Sequence, residues 1–325
     1  MRTAIAFGLA VIGALAQPVP PVSDIAYGPV PSRIRVAPGQ VTPLRIGGVR
    51  LLEGDGYQFL LAPPGSPLPP SLGPVSVLVS RGYFGEVAPA RTFEPVPIFA
   101  IEQWSTLCES QNYTDSCLSA IITVQMPFDL PPEPSSTFPL APQPSLLKVK
   151  TGPKETAPMR LTVDARRPHI AKSCDKPGGR RDVCDSQLVT STDGRLLRTR
   201  NNPSSGIDLA PGDVAVIYAY GLGRTNPDVT AGLEVIGIVP VRSPLPVRLE
   251  WLASNGGVVE LREVDPLYAG LTPGTVGLYQ INLMIPETPQ GVEPCGSLVR
   301  ANLRITIPAA ALGPAEAVEI CVKPF

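Results

Sequence analysis

GDVAVIYAYGLGRTNP, from Gly212 to Pro227, and LYAGLTPGTVGLYQINLMIPE, from Leu267 to Glu287, set the architecture. In the first, Val214, Val216, Tyr218 and Tyr220 fall on one side of an extended chain. In the second, Tyr279, Ile281, Leu283 and Ile285 do the same. A repeat of two residues, rich in β-branched and aromatic side chains and closed by Gly and Pro, specifies half-buried strands. The glycines at 221, 223, 270, 274 and 277 mark turns or close backbone approaches where a side chain has no room. Tyr268 and Tyr279 offer large apolar faces to a core, with hydroxyls that need partners there.

The same alternation recurs along the chain. It is present at Val75–Ser80, Met159–Val163, Val247–Trp251, Leu303–Ile307 and Val318–Val322. Helical periodicity is nearly absent. Pro (41) and Gly (30) together make up about a fifth of the 325 residues, so the strands are short and separated by turns. Hydrophobic residues at 43% and charged residues at 17% supply a core and argue against a disordered chain. The fold class is therefore all-β: two tandem Ig-like β-sandwich domains with Pro-rich loops. The loops at Pro63–Pro74 and Pro127–Pro144 are expected to be extended rather than packed.

Internal similarity supports two domains. Pro38-Gly39-Gln40-Val41 matches Pro211-Gly212-Asp213-Val214; ITVQMP at 122–127 matches INLMIP at 281–286; RLTV at 160–163 matches RITI at 304–307. The expected division is 1–16 as a signal peptide, 22–165 as the first sandwich and 166–325 as the second. The leader reading rests on Arg2, the apolar stretch Ala4–Leu15 and the A-x-A site at Ala14–Ala16. An apolar stretch of this length is too short to span a bilayer. Export to the envelope or beyond is expected, with no membrane span left after cleavage.

The two opening stretches, with NPSSG at 202–206, resemble the acidobacterial, Solibacter-type C-terminal domain family of large exported bacterial proteins. The resemblance covers about 165 to 310. It implies an Ig-like or TIG-like sandwich and no established activity. The Arg-rich segment and the cysteine pairs depart from the family pattern, and no large N-terminal domain accompanies the modules.

In an oxidising compartment the six cysteines, Cys108, Cys117, Cys174, Cys184, Cys295 and Cys321, read as disulfides. Six cysteines allow 15 connectivities. Spacing favours Cys108–Cys117, Cys174–Cys184 and Cys295–Cys321. Thiolate metal binding would call for C-x-x-C spacing, which is missing.

Charge and motifs narrow the function. A net charge of −1 argues against nucleic-acid binding by the whole molecule. No nucleophile elbow, phosphate loop or dinucleotide fingerprint occurs, so no cofactor is expected. The single histidine, His169, reads as a linker residue. Glu53/Asp55, Asp182/Asp185 and Glu263/Asp265 are carboxylate pairs that a glycosidase would need across a cleft. Asp208 and Asp213 flank a turn with weak ion-binding character. The resemblance to a bacterial family implies that the Asn112 sequon is incidental.

The segment 166–200 is the most unusual. It carries Arg166, Arg167, Lys172, Lys176, Arg180, Arg181, Arg195, Arg198 and Arg200 against four Asp. It reads either as a solvated junction or as a contact for an anionic polysaccharide, lipid headgroup or acidic envelope protein. The expectation is an exported, non-catalytic structural or adhesive protein that uses this segment. A carbohydrate hydrolase with acids between the domains, or a bare spacer, are the alternatives.

Overall fold

The computed structural model describes residues 34–54, 56–64, 67–85, 89–105, 118–133, 143–172, 175, 187–310 and 315–323, with the main chain of 23–25. Among these residues there is no helix, and the protein is all-β. The leader, Asn112 and four of the cysteines (Cys108, Cys117, Cys174, Cys184) lie outside them.

The first half contributes β1 (Ser23–Ile25), β2 (Ile34–Val36), β3 (Val41–Gly47), β4 (Gln58–Leu61), β5 (Ser71–Leu72) and β6 (Val75–Ser80). It continues with β7 (Glu94–Val96), β8 (Ile98–Ser105), β9 (Leu118–Gln125), β10 (Ser145–Thr151), β11 (Lys154–Glu155) and β12 (Met159–Val163). A five-stranded inner sheet has the order β1-β3-β9-β8-β4. The seven-stranded outer sheet runs β2-β12-β10-β6-β5, with β11 on β10 and β7 on β6. Between them lies a core that draws Leu44, Ile101 and Ile122 from the inner sheet and Val77, Leu147 and Leu161 from the outer.

The second half begins with β13 (His169–Ile170), β14 (Val189–Ser191), β15 (Val214–Tyr220), β16 (Val239–Pro240) and β17 (Val247–Leu252). It ends with β18 (Val258–Val264), β19 (Tyr268–Leu271), β20 (Tyr279–Met284), β21 (Leu303–Ile307) and β22 (Glu316–Ile320). Its inner sheet is β13-β15-β20-β19-β16 with β14 on β15, and its outer sheet is β18-β17-β21-β22. Ile217, Ile281, Leu249, Trp251 and Ile305 fill the space between the two.

One pairing pattern therefore occurs twice. The inner sheets share the order β3-β9-β8-β4 and β15-β20-β19-β16. The outer sheets share β12-β10-β6-β7 and β22-β21-β17-β18. The turns entering β3 and β15 coincide down to the side chain. The Ala37 N–H donates to Gln40 Oε1 at 2.7 Å, and the Ala210 N–H donates to Asp213 Oδ2 at 2.8 Å. The PGQV/PGDV and ITVQMP/INLMIP matches follow this order, since Val41 pairs with Gln125 and Val214 with Met284. The RLTV/RITI match does not. RLTV is β12, whose place is taken in the second half by β22: Val36 pairs in parallel with Val163, as Leu209 does with Val322.

The two inner sheets also pack on each other. Val41, Phe99 and Ala100 of the first meet Val216, Tyr218 and Tyr220 of the second, together with Val276 and Leu278. This corrects the half-buried reading of β15. Its Ala215, Ile217 and Ala219 side faces the sandwich core, and its valine and tyrosine side faces the other sandwich. Leu68 joins this seam, with its N–H on Gly232 O, so the Pro63–Pro74 segment is anchored at Leu68 and Leu72 while Pro63, Pro64, Pro67, Pro70 and Pro74 are exposed as expected. Phe128 crosses over from the first half into the second core.

Candidate functional site

Among the described residues of the basic segment, four arginines lie against carboxylates, two of them near in sequence and two brought close by the fold. Arg198 grips both oxygens of Asp208, with Nε to Oδ1 at 2.7 Å. Arg200 reaches Glu319 on β22 at 2.8 Å, Arg195 reaches Asp193 at 2.7 Å, and the half-buried Arg167 lies 3.9 Å from Asp164. Arg166 donates to the Pro244 carbonyl at 2.9 Å. Lys172 is half-buried next to its bridge partner Gln187. Lys176, Arg180 and Arg181 lie outside the described residues.

Arg200 ends a row of alternating charge across the second outer sheet. Register places Glu250, Arg304 and Glu319 side by side on β17, β21 and β22. Arg304 bridges Glu250 at 3.2 Å and Glu319 at 2.7 Å. Opposite charges directly across from each other stabilise a sheet. Glu319, caught between Arg200 and Arg304, is held below the usual carboxylate range even though its partial burial pushes the other way.

An open basin of about 450 Å³ has Arg195, Arg198, Asp208, Asp213 and Lys323 on its walls. It brings together two of the basic residues and the aspartate pair singled out in the sequence. Asp208 is occupied by Arg198 and Asp213 by the turn amide of Ala210. No group of three or more His, Cys, Asp or Glu among the described residues is placed to hold a metal ion.

A cleft of about 610 Å³ opens between the sandwiches, walled by Pro70, Pro95, Pro97, Pro127 and Phe128. Its charged groups are Arg81, Glu94, Asp129 and Asp228. None of these acids belongs to a pair singled out in the sequence, because they converge only in the fold. A glycosidase acid must keep a proton near neutrality. Here Arg81 pairs with both Glu94 and Asp129, the latter at 2.8 Å. Asp228 accepts from Arg224 at 2.6 Å and Arg242 at 2.8 Å, and these hydrogen bonds hold it below its ordinary range. Of the sequence pairs, Glu263 and Asp265 sit at a sheet edge and its exit, Glu53 is exposed, and Asp55, Asp182 and Asp185 lie outside the described residues.

His169 is not a solvated linker residue. It opens β13, pairs with Tyr220 and is only 4% exposed. Nε2 lies 3.2 Å from Asp175 Oδ2 and Nδ1 3.5 Å from Glu316 Oε1. Burial alone would depress its pKa, but the two carboxylates outweigh burial and raise it. Asp175 is fully buried and also accepts the Lys172 N–H at 2.6 Å. His169 and Asp175 are buried while Glu316 is partly exposed, and the three groups together tie β13 to β22.

In comparisons with known proteins, the chain matches no family model and no curated protein.

Proposed function

We propose that the chain is an exported, non-catalytic structural or adhesive protein of the cell envelope or extracellular space. In this reading its sandwiches are tandem Ig-like copies of one module, of the Solibacter-type kind the sequence resembles. One observation carries it: the acids of the cleft between the sandwiches, where a reaction could be housed, are each held by arginine. The twice-used pairing order supports duplication. Cys295 is bonded to Cys321, which fits an oxidising compartment. No helix among the described residues is long and apolar enough to cross a membrane.

The basic segment remains the contact we favour, in a narrower form. Arg167, Arg198 and Arg200 are engaged by carboxylates within the fold. An anionic polysaccharide or acidic envelope protein would be held by Lys172, Lys176, Arg180 and Arg181, with Arg195, whose exposed pair with Asp193 is worth little in water. Binding of the oxidised chain to acidic and neutral polysaccharides across a salt series tests this. Affinity for acidic glycans that falls with salt, and drops at least about tenfold in an Arg180→Ser, Arg181→Ser variant, is the expected result. No binding at low salt refutes it. Glycan cleavage abolished by Asp129→Asn would instead make the cleft a hydrolase site.

A further inference from the structure

We propose that β18 pairs antiparallel with β18 of a second copy of this chain, joining two outer sheets into one. β18 is a seven-residue strand at the sheet margin, hydrogen-bonded to β17 alone among the described strands. The opposite margin, β22, is covered by bridges from Thr199 and Leu209. Its counterpart in the first half, β7, has three residues and a central proline. Short edges and prolines are ordinary protection against strand addition. β18 has neither, although its ladder shifts register at Trp251/Leu252 and leaves Val259 unopposed, and it exposes 49% of Val258, 40% of Val259 and 47% of Leu261.

The sequence VVELREV is largely complementary to its own reverse. With Leu261 on the two-fold axis, Leu261 faces its mate and Val258 faces Val264. Glu260 of each copy then faces Arg262 of the other. Charges on an edge strand usually repel a second copy; here their signs alternate so that two copies fit. Glu260 and Arg262 already contact each other within one strand, on the sheet face of Trp251 and Leu249. Pairing would turn that contact into a square of four alternating charges. The interface is isologous and closes at a dimer. It adds about six to eight main-chain hydrogen bonds.

Sedimentation velocity of the full oxidised chain from about 1 to about 100 µM tests the proposal, since small interfaces dissociate in this range. The expected result is a monomer–dimer equilibrium. Glu260→Arg and Arg262→Glu, at partly exposed positions, should each weaken it at least about tenfold by opposing like charges. Combining both changes in one chain should restore it, as should mixing the two single variants in equal amounts. Circular dichroism melts show whether each variant is folded. A chain that is monomeric throughout overturns the proposal and leaves the edge to a strand from another protein. A dimer indifferent to the single changes, or singles that fail to recover on mixing, also overturns it.

Discussion

His169 is a titrating group buried in the second half of the chain, with its ring nitrogens against the carboxylates of Asp175 and Glu316. The folded-state pKa of His169 is raised, so the stabilisation from its charged form is complete below the unfolded value near 6.5. It is lost as pH rises through the folded value. Melting temperature should therefore fall between about pH 6 and mildly alkaline pH. The stability lost is about 1.4 kcal/mol for each tenfold by which folding tightens proton binding at His169. His169→Gln should flatten that fall, and His169→Ala should cost about 1–3 kcal/mol at pH 6 by taking the imidazole away from the buried Asp175 carboxylate. A wild-type melt independent of pH across this window would contradict the assignment. Tyr279 shows the same economy with a neutral group: its buried hydroxyl donates to Gly223 O at 2.5 Å, and burial raises its pKa. That such hydroxyls need partners was readable from the sequence. Which carbonyl meets them was not, because Gly223 is 56 residues away.

At the level of strands, reading the alternation located the strands with one wet face and also β15, although both faces of β15 are buried, and it missed β9 and β18. β6, β12, β15, β17, β20 and β21 coincide closely with alternating runs. β9 is buried at all eight positions, because one face lines a core and the other meets the second sandwich, so it shows no alternation. β18 fails for the opposite reason: as a free edge it is exposed or half-exposed throughout. The arginine partners were illegible because Arg200 and Glu319 are 119 residues apart and meet only through register. Cysteine spacing did identify Cys295–Cys321, which tethers the end of β22 across 26 residues. By loop entropy this bond contributes about 3.5 kcal/mol. Replacing both cysteines with serine should lower stability by about 2–4 kcal/mol in denaturant titration, and an unchanged midpoint would contradict a structural role.

On the scale of the whole molecule, four sheets stack as outer, inner, inner, outer, and the middle seam is itself a buried apolar layer. Tyr220, Leu278 and Ala100 are each 1% exposed or less. Gln125 crosses the seam with its Oε1 accepting the Gly232 N–H at 2.6 Å. Gly277, at φ +70°, leaves room for it: a Cβ there would stand 2.7 Å from Val41 and 2.8 Å from Gln125. A buried acceptor removed from such a site costs about 1–3 kcal/mol. A seam of this kind should make the two sandwiches unfold as one cooperative body. Scanning calorimetry of the oxidised chain tests this most directly. The account predicts one transition with calorimetric and van't Hoff enthalpies in agreement, resolving into two when Gln125→Ala is combined with Tyr218→Ser. Two independent transitions in the wild-type chain, unmoved by those changes, would contradict it.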